Sequence, residues 1–344
     1  MVDFAGWEMP QQYSTVKQEQ EAVRSGAGLF DVSHMGRFEV RGREAAGFLQ
    51  RLVTNDVARL GIYEAQYNLL CKEDGGILDD LVVYRGERSW TLVVNASNRA
   101  KDLTWLRQHA SDGVEVEDVS EKTSLLALQG PKAESVLPAE GVDLEAIPYF
   151  GLASGMVSGV EATISRTGYT GEDGFELFLP AQRASEVWDA LLEAGATPCG
   201  LAARDVCRLE AGLRLYGNDM DETANPYEAG LGWTVRLQKG DFVGRAALAE
   251  YKAAGPRRRI VGLGGNDRTI PRHGATVSRE DRTIGSVTSG TYSFWLQRGI
   301  GMALVETGEA EPGRRVEISG RGGSGRGEIV PLPFYRGSVR QATH

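Results

Sequence analysis

The sequence predicts an α+β fold followed by a separate, small all-β domain. Three features carry that reading. Up to about Lys252, strand-like and helix-like segments alternate without a regular order. Beyond Arg259 the helical period is almost lost, and short β-rich runs ("RRIVGL", "TIGSVTSG", "IGMALV", "RRVEISG") are divided by glycine and proline. Between the two textures lies a charged, glycine-containing stretch from Lys252 to Arg258, the composition of a domain boundary. The 344 residues suffice for two or three domains of about 150 residues each.

Taken in order, "GRFEVRG" reads as a strand, with Phe38 and Val40 alternating against polar neighbours. "REAAGFLQRLV" reads as a short helix. "GGILDDLVVYRGERSWTLVVN" reads as a hairpin: an apolar run to Tyr84, a turn at Gly86 and a return strand from Trp90 to Val94. "SNRAKDLTWLRQHA" is a helix that Ser97 or Asn98 is placed to cap. "TSLLALQG" is a strand stopped at Gly130-Pro131, and "EATISRTGYTGEDGFELFL" is strand, glycine-rich turn, strand. "SEVWDALLEAG" and "AARDVCRLEAGLRLYG" are helices with glycine stops. "SGRGGSGRGE" near residue 320 reads as a flexible hairpin loop.

Bulk properties remove several classes of function. The net charge of −9 argues against general nucleic-acid binding, which needs a basic surface. No run of 18 apolar residues occurs, so no transmembrane helix is expected. "MVDFAGWEMPQQY" lacks the basic and apolar regions of a signal peptide and the Arg- and Ser-rich character of a transit peptide. Cys71, Cys199 and Cys207 are three widely spaced cysteines without a CxxC, which fits reduced thiols in a cytoplasmic compartment rather than disulfides or zinc. His34, His109, His273 and His344 show no metal-ligand spacing, and no metal is expected. Arg257, Arg258 and Arg259 form a local basic cluster, readable as a solvated linker or as a dock for an anion.

Four stretches are able to carry chemistry. Asp102 lies about one turn into its helix and shares a face with Leu103 and Leu106, so it borders the buried stripe. It reads either as a dipole-favoured acid at a helix start or as a carboxylate facing a cleft. "RTGYTGEDGFE" is a glycine-rich loop with neither dinucleotide nor EF-hand spacing, and its Tyr169 can stack on a flat heterocycle or pack as core. In "FDVSHMG", His34 follows Ser33, but no G-x-S-x-G elbow exists, so a structural histidine is expected. Glu210 falls inside the apolar stripe of Val206, Leu209 and Leu213. It reads either as a marginal pair with Arg214 one turn on, or as a buried carboxylate that accepts two N–H bonds from a ligand such as the 2-amino-4-oxo edge of a pterin.

The ordered set "MVDFAGWEMP", "GLFDVSHMG", "TNDV", "GGILDDLVVYR", "NASNRAKDLTW", "ALQGP", "RTGYTGEDGFE", "CRLEAGLRLYGNDMDE" and "PYEAGLGWTV" closely resembles the aminomethyltransferases, the T-proteins of the glycine cleavage system. "IPRHGA" and "IGSVTSGTYS" extend the likeness over nearly the whole chain. The resemblance implies a three-domain cloverleaf of the folate-binding type. Residues 1–252 would form two intertwined α/β subdomains, and 257–338 a C-terminal β-barrel-like domain.

The resemblance also implies roles. Asp102, in "NASNRAKD", matches the catalytic aspartate, and Glu210, in "RLEAG", matches the pterin-binding glutamate. Tyr169 and Tyr335 match aromatics of the folate pocket, and Arg236, with Lys239 as the alternative, matches a basic residue near the folate. The implied reaction moves the methylene of an S-aminomethyl-dihydrolipoyl carrier, the glycine cleavage H-protein, onto the co-substrate tetrahydrofolate, with release of ammonia. A carboxylate at Asp102 would hold the ammonium, accept its proton and stabilise the iminium-like cation. Metal, nucleic acid and membrane have no part in it. The rivals are a tetrahydrofolate-dependent demethylase of this fold and a non-catalytic folate-binding assembly factor, whose "KGCYxGQE"-like cysteine motif is missing here. Three departures stand out: family members carry a short segment before "MVDFAGW", Asn68 replaces a threonine, and "SFWL" at Ser293–Leu296 replaces an "SPTL"-like stretch.

Overall fold

The computed structural model describes residues 1–265, 269–320 and 323–339. By packing, the chain forms two compact units interleaved in sequence. The first comprises Met1–Leu70, Asp79–Arg204 and the tail from Gly337, and the second comprises Cys71–Leu78 and Asp205–Arg336. The sequence division at 252–257 tracks the change of texture where the first barrel strand begins at Arg258, whereas the packing groups 205–257 with the barrel.

In the first unit a seven-stranded sheet runs in the order Ala139–Glu140, Leu152–Val157, Val160–Ser165, Gly174–Pro180, Thr123–Gln129, Gly28–Asp31, Thr197–Pro198. Its strands pair antiparallel except the last, which lies parallel to Gly28–Asp31. Leu126, Leu128, Phe175 and Leu177 are buried with Val187 and Leu191 of the helix Ala184–Glu193. Each such side chain removed from water stabilises the unit by about 1.5–3 kcal/mol.

A five-stranded sheet carries the hairpin read from the sequence. Its order is Glu64–Cys71, Ile77–Arg85, Trp90–Val94, Gly36–Arg41, Glu115–Asp118. Leu81 pairs with Val94 and Arg85 with Trp90. That register brings Asp79 and Asp80, just before Leu81, to the same edge as Asn95, just after Val94.

The second unit holds a closed six-stranded barrel in the order Arg258–Gly265, Arg298–Glu306, Arg282–Ser293, Thr276–Arg279, Arg315–Gly320, Gly323–Val330. Alternating Leu263, Val277, Ile284, Val305 and Ile329 fill its interior. Gly320 pairs with Gly323, and the tip of the loop read as flexible, residues 321–322, lies outside the described residues.

One helix differs from expectation. The segment expected to stay helical to Gly217 is helical only over Leu201–Glu210. Leu213 N–H donates to Arg208 O and Gly212 N–H to Leu209 O, with Gly212 at φ +68°: a Schellman stop. The stop is local chemistry, because a Gly able to adopt positive φ lies two residues beyond Glu210. It makes Glu210 the last helical residue.

Candidate functional site

Asp102 sits in the first turn of the helix Arg99–His109 and is fully buried. Neither carboxyl oxygen has a hydrogen-bond partner. Asp102 keeps the dipole-favoured place in the first helical turn, and full burial adds that neither oxygen is hydrated. Its neighbour is Asp79, carboxyl to carboxyl. Asp79 is also fully buried and richly supplied with donors: Oδ1 accepts from Asn95 Nδ2 (2.9 Å) and Asn98 Nδ2 (2.6 Å), and Oδ2 from Asn95 N–H (3.1 Å). Asn98 was expected as a cap, and it does occupy the N-cap position, but its side chain makes no cap bond. Its amide serves Asp79 instead, because a buried anion takes a donor more strongly than a helix end does.

Asp80 completes the group. It accepts from Tyr67 Oη (2.8 Å) and Asn95 Nδ2 (2.7 Å). Burial, then the Asp79 charge, push its carboxyl up to about 7. Burial, then the adjoining Asp79 carboxyl, push Asp102 up to about 10, against an opposing pull from Lys101. Burial raises Asp79, and Asp102, Asn95 and Asn98 work against the rise. Trp105 Nε1, one turn beyond Asp102, is a further buried donor with no partner.

In the second unit Glu210 is fully buried at the end of its helix. A carboxylate there meets the negative pole of the helix, so the position costs stability unless donors offset it. Ser293 Oγ donates to Glu210 Oε1 and accepts from Leu296 N–H (2.8 Å). Tyr335 N–H donates to the Glu210 carbonyl (2.9 Å), and the Tyr335 ring meets Trp295 edge-on at 6.2 Å. Glu210 and Tyr335, far apart in sequence, are therefore neighbours, and "SFWL" supplies Ser293 and Trp295 beside them. Arg214 donates to the carbonyls of Ala229 (2.9 Å) and Gly212. Beneath the site, Arg208 is buried against Asp219 (2.6 Å) and Ser289 (2.8 Å).

Tyr169 stands on a loop stiffened from below, in the first unit. Arg166 is fully buried and grips Asp173 (2.9 and 2.5 Å) and Glu134 (2.6 Å), while Arg24 grips Thr170 O (2.9 Å) and Glu172 (2.8 Å). A Cβ at Gly168 would lie 1.9 Å from Gln129 Oε1, so any larger residue there displaces the buried Gln129 amide. The Tyr169 ring carries the Arg204 guanidinium at 4.9 Å, a cation–π contact. Arg204 Nη1 and the nearby His34 Nδ1 are buried without hydrogen bonds. Burial, then Arg204 and Arg37, push His34 down to about 3, so its imidazole is neutral, as a structural histidine against Phe4.

Arg236 is exposed, and Lys239 lies over the Phe242 ring at 4.8 Å. In the basic cluster, Arg258 opens a barrel strand and pairs with Glu228 (3.1 Å). A groove lined by Arg41, Glu117 and Lys122 includes none of the expected residues, and these charges pair with one another. Sequence reasoning missed Asp79, Asp80, Asn95, Ser293 and Arg204. The detectable signal was two adjacent acids inside the apolar run "ILDDLVVY".

The chain is similar throughout to known proteins. A family described as "GCVT N-terminal domain" matches residues 1–239, and "Glycine cleavage T-protein C-terminal barrel domain" matches 258–336. An aminomethyltransferase of Geobacillus kaustophilus is 52% identical over 97% of this chain and 94% of its own. One from Bacillus subtilis is 44% identical over 97% and 95%. The crystal structure of the glycine cleavage system aminomethyltransferase T from Bartonella henselae superposes with a TM-score of 0.92 at 36% identity, covering 99% of this chain and 95% of that one. Among the described residues, no helix is long and apolar enough to cross a membrane.

Proposed function

The chain belongs to the glycine cleavage T-protein family of aminomethyltransferases, and we propose that Asp102 is the residue through which it handles the migrating aminomethyl group. Its activity is tetrahydrofolate-dependent aminomethyl transfer. In the balanced reaction, the methylene leaves sulfur for N5 and N10 of tetrahydrofolate, while the protons those nitrogens lose end on the sulfur and on ammonia. The observation that carries the residue assignment is a fully buried carboxyl whose two oxygens have no protein donor. Such a group lacks a partner until a ligand supplies one. An aminomethyl ammonium supplies N–H donors and a positive charge together. Held there, it exchanges its proton with the carboxyl pair at hydrogen-bond distance, which is acid–base work of about 10²–10⁴-fold.

We assign the pterin to Glu210. An acceptor-only side chain, fully buried at a helix C-terminus, suits a neutral ligand edge with two parallel N–H groups. Ser293 holds the carboxylate in place, and Trp295 and Tyr335 add an aromatic wall for a flat ring. Tyr169, on its braced loop, is carried over from the family resemblance as a folate-binding aromatic, and Arg236 or Lys239 as the basic residue for the folate. The lipoylated H-protein is the carrier in this reading. A cytoplasmic setting goes with it, supported by Cys71, Cys199 and Cys207 as buried free thiols.

The test mixes the purified chain with aminomethylated lipoyl carrier and measures ammonia with and without tetrahydrofolate. Folate-dependent release is expected. Folate binding without turnover would favour an assembly factor, and turnover of a methyl donor instead would favour a demethylase.

A further inference from the structure

The donors around the acid pocket are distributed unevenly. Asp79 receives three N–H bonds, from Asn95 twice and from Asn98 once, all from groups that only donate at those contacts. Asp102, pressed against it, receives none. Both are fully buried, and the three bonds that reach Asp79 all come from neutral amide groups. Two carboxylates in contact cannot both stay ionised in such a place, so one proton must lie between them. Donors stabilise the ionised member, which is Asp79.

From this geometry we infer that Asp79 is a positioning residue that keeps a proton on Asp102 in the resting enzyme, so that Asp102 begins the reaction as an acid. The inference rests on Asp102 being the catalytic aspartate and reverses the order expected from sequence, where Asp102 first accepts a proton. The O–H bond of Asp102 breaks as the carbon–sulfur bond breaks, and the proton goes to the departing sulfur. One of the two protons lost by the folate nitrogens restores Asp102, and the other leaves with ammonia. The pair keeps one negative charge throughout its resting state, enough to hold an ammonium. The other charged or titratable groups that face it are Asp80, whose carboxyl is bonded by Tyr67 and Asn95, and Lys101 on the helix of Asp102. The raised proton affinity of Asp102, due to burial and then Asp79, points the same way.

The test has an infrared arm and a kinetic arm, on the full chain. With ¹³C-labelled aspartate at neutral pH, wild type should show a protonated-carboxyl band that Asp102→Asn abolishes. Asp79→Asn, which removes the neighbouring charge, should keep the band at neutral pH and move its disappearance on alkaline titration to lower pH, by lowering the proton affinity of Asp102. The alkaline limb of the pH profile for single-turnover ammonia release should move down by about 1–3 pH units in Asp79→Asn. In Asn98→Ala, which takes a donor from the Asp79 carboxylate, the limb should move up. A purely structural Asp79 would lower the rate at every pH and leave the limb in place. If Asp79→Asn does not fold, the wild-type band and the Asn98→Ala limb decide. Absence of an Asp102 band in wild type overturns the inference while leaving Asp102 catalytic. Undiminished ammonia release by Asp102→Asn overturns the catalytic assignment itself.

Discussion

The beginning of one helix and the end of another hold two fully buried carboxylates under opposite conditions. Asp102 lies in the first turn of Arg99–His109, where the helix dipole favours negative charge, yet no donor reaches it. Glu210 closes Leu201–Glu210, where the dipole opposes negative charge, yet Ser293 donates to it. A third buried acid, Glu19, shows what an entirely structural one looks like. It accepts from Tyr13 N–H (2.6 Å), Ser14 N–H (2.7 Å) and Gly200 N–H (2.8 Å), and it ties the N-terminal segment down. Set beside Glu19, Asp102 is the acid with capacity left unused. The lesson is that burial alone does not mark a reactive carboxyl. The count and charge of its donors do.

That contrast breaks most visibly in rate. Asp102→Asn should lower folate-dependent ammonia release about 10²–10⁴-fold, with the folate dissociation constant within about threefold of wild type. A variant that retained most of its turnover would place Asp102 with Glu19. Glu210→Gln should do the reverse. One charged acceptor becomes a neutral amide, so folate binding measured by calorimetry should weaken about 10–100-fold, with turnover at saturating folate little changed. A large fall in the saturated rate with unaltered binding would exchange the two roles.

Smaller effects sharpen the picture. Tyr169→Leu removes the ring that meets Arg204 and should weaken folate binding about 3–10-fold without moving the pH profile. Stability should move in the opposite sense to activity. The proton affinity of Asp102 is raised in the folded chain, so folding binds a proton there over the window from the ordinary aspartate value to about 10. That contribution is whole below the window and is lost as the pH rises through it. Asp102→Asn needs no proton, so its melting temperature relative to wild type should rise by about 6 °C from pH 6 to pH 9. A constant margin would mean that Asp102 is ionised in the folded chain across this window.

Much of the architecture was readable from periodicity. "GRFEVRG" alternates at period 2 and gives the strand Gly36–Arg41; "SEVWDALLEAG" repeats at helical spacing and is helical up to Glu193, in the helix Ala184–Glu193. The β-rich texture beyond Arg259 became a closed barrel. Glu210 was conspicuous because it interrupts an apolar stripe. The overextended helix at Leu213 and beyond came from following that stripe past Gly212, where glycine chemistry outranks spacing. Asp79 stayed hidden for a different reason. It lies in a mostly buried, apolar strand, and although the adjacent acids stand out, nothing local says which group either one faces. Asn98 was misread for the complementary reason: its local use as a cap was plausible, and a partner 19 positions away claimed it.

By itself the sequence determined what is short-range: the type of each element, the faces that turn inward, the barrel, and the acids that interrupt apolar patterns. Those follow from backbone geometry and side-chain spacing, which act over a few residues. Tertiary structure alone decided which acids share a pocket and which of them is given donors. Asp79, Asn95, Asn98 and Asp102 come from a strand, a turn and a helix, and only their packing sets the distances on which hydrogen bonds and charge repulsion depend.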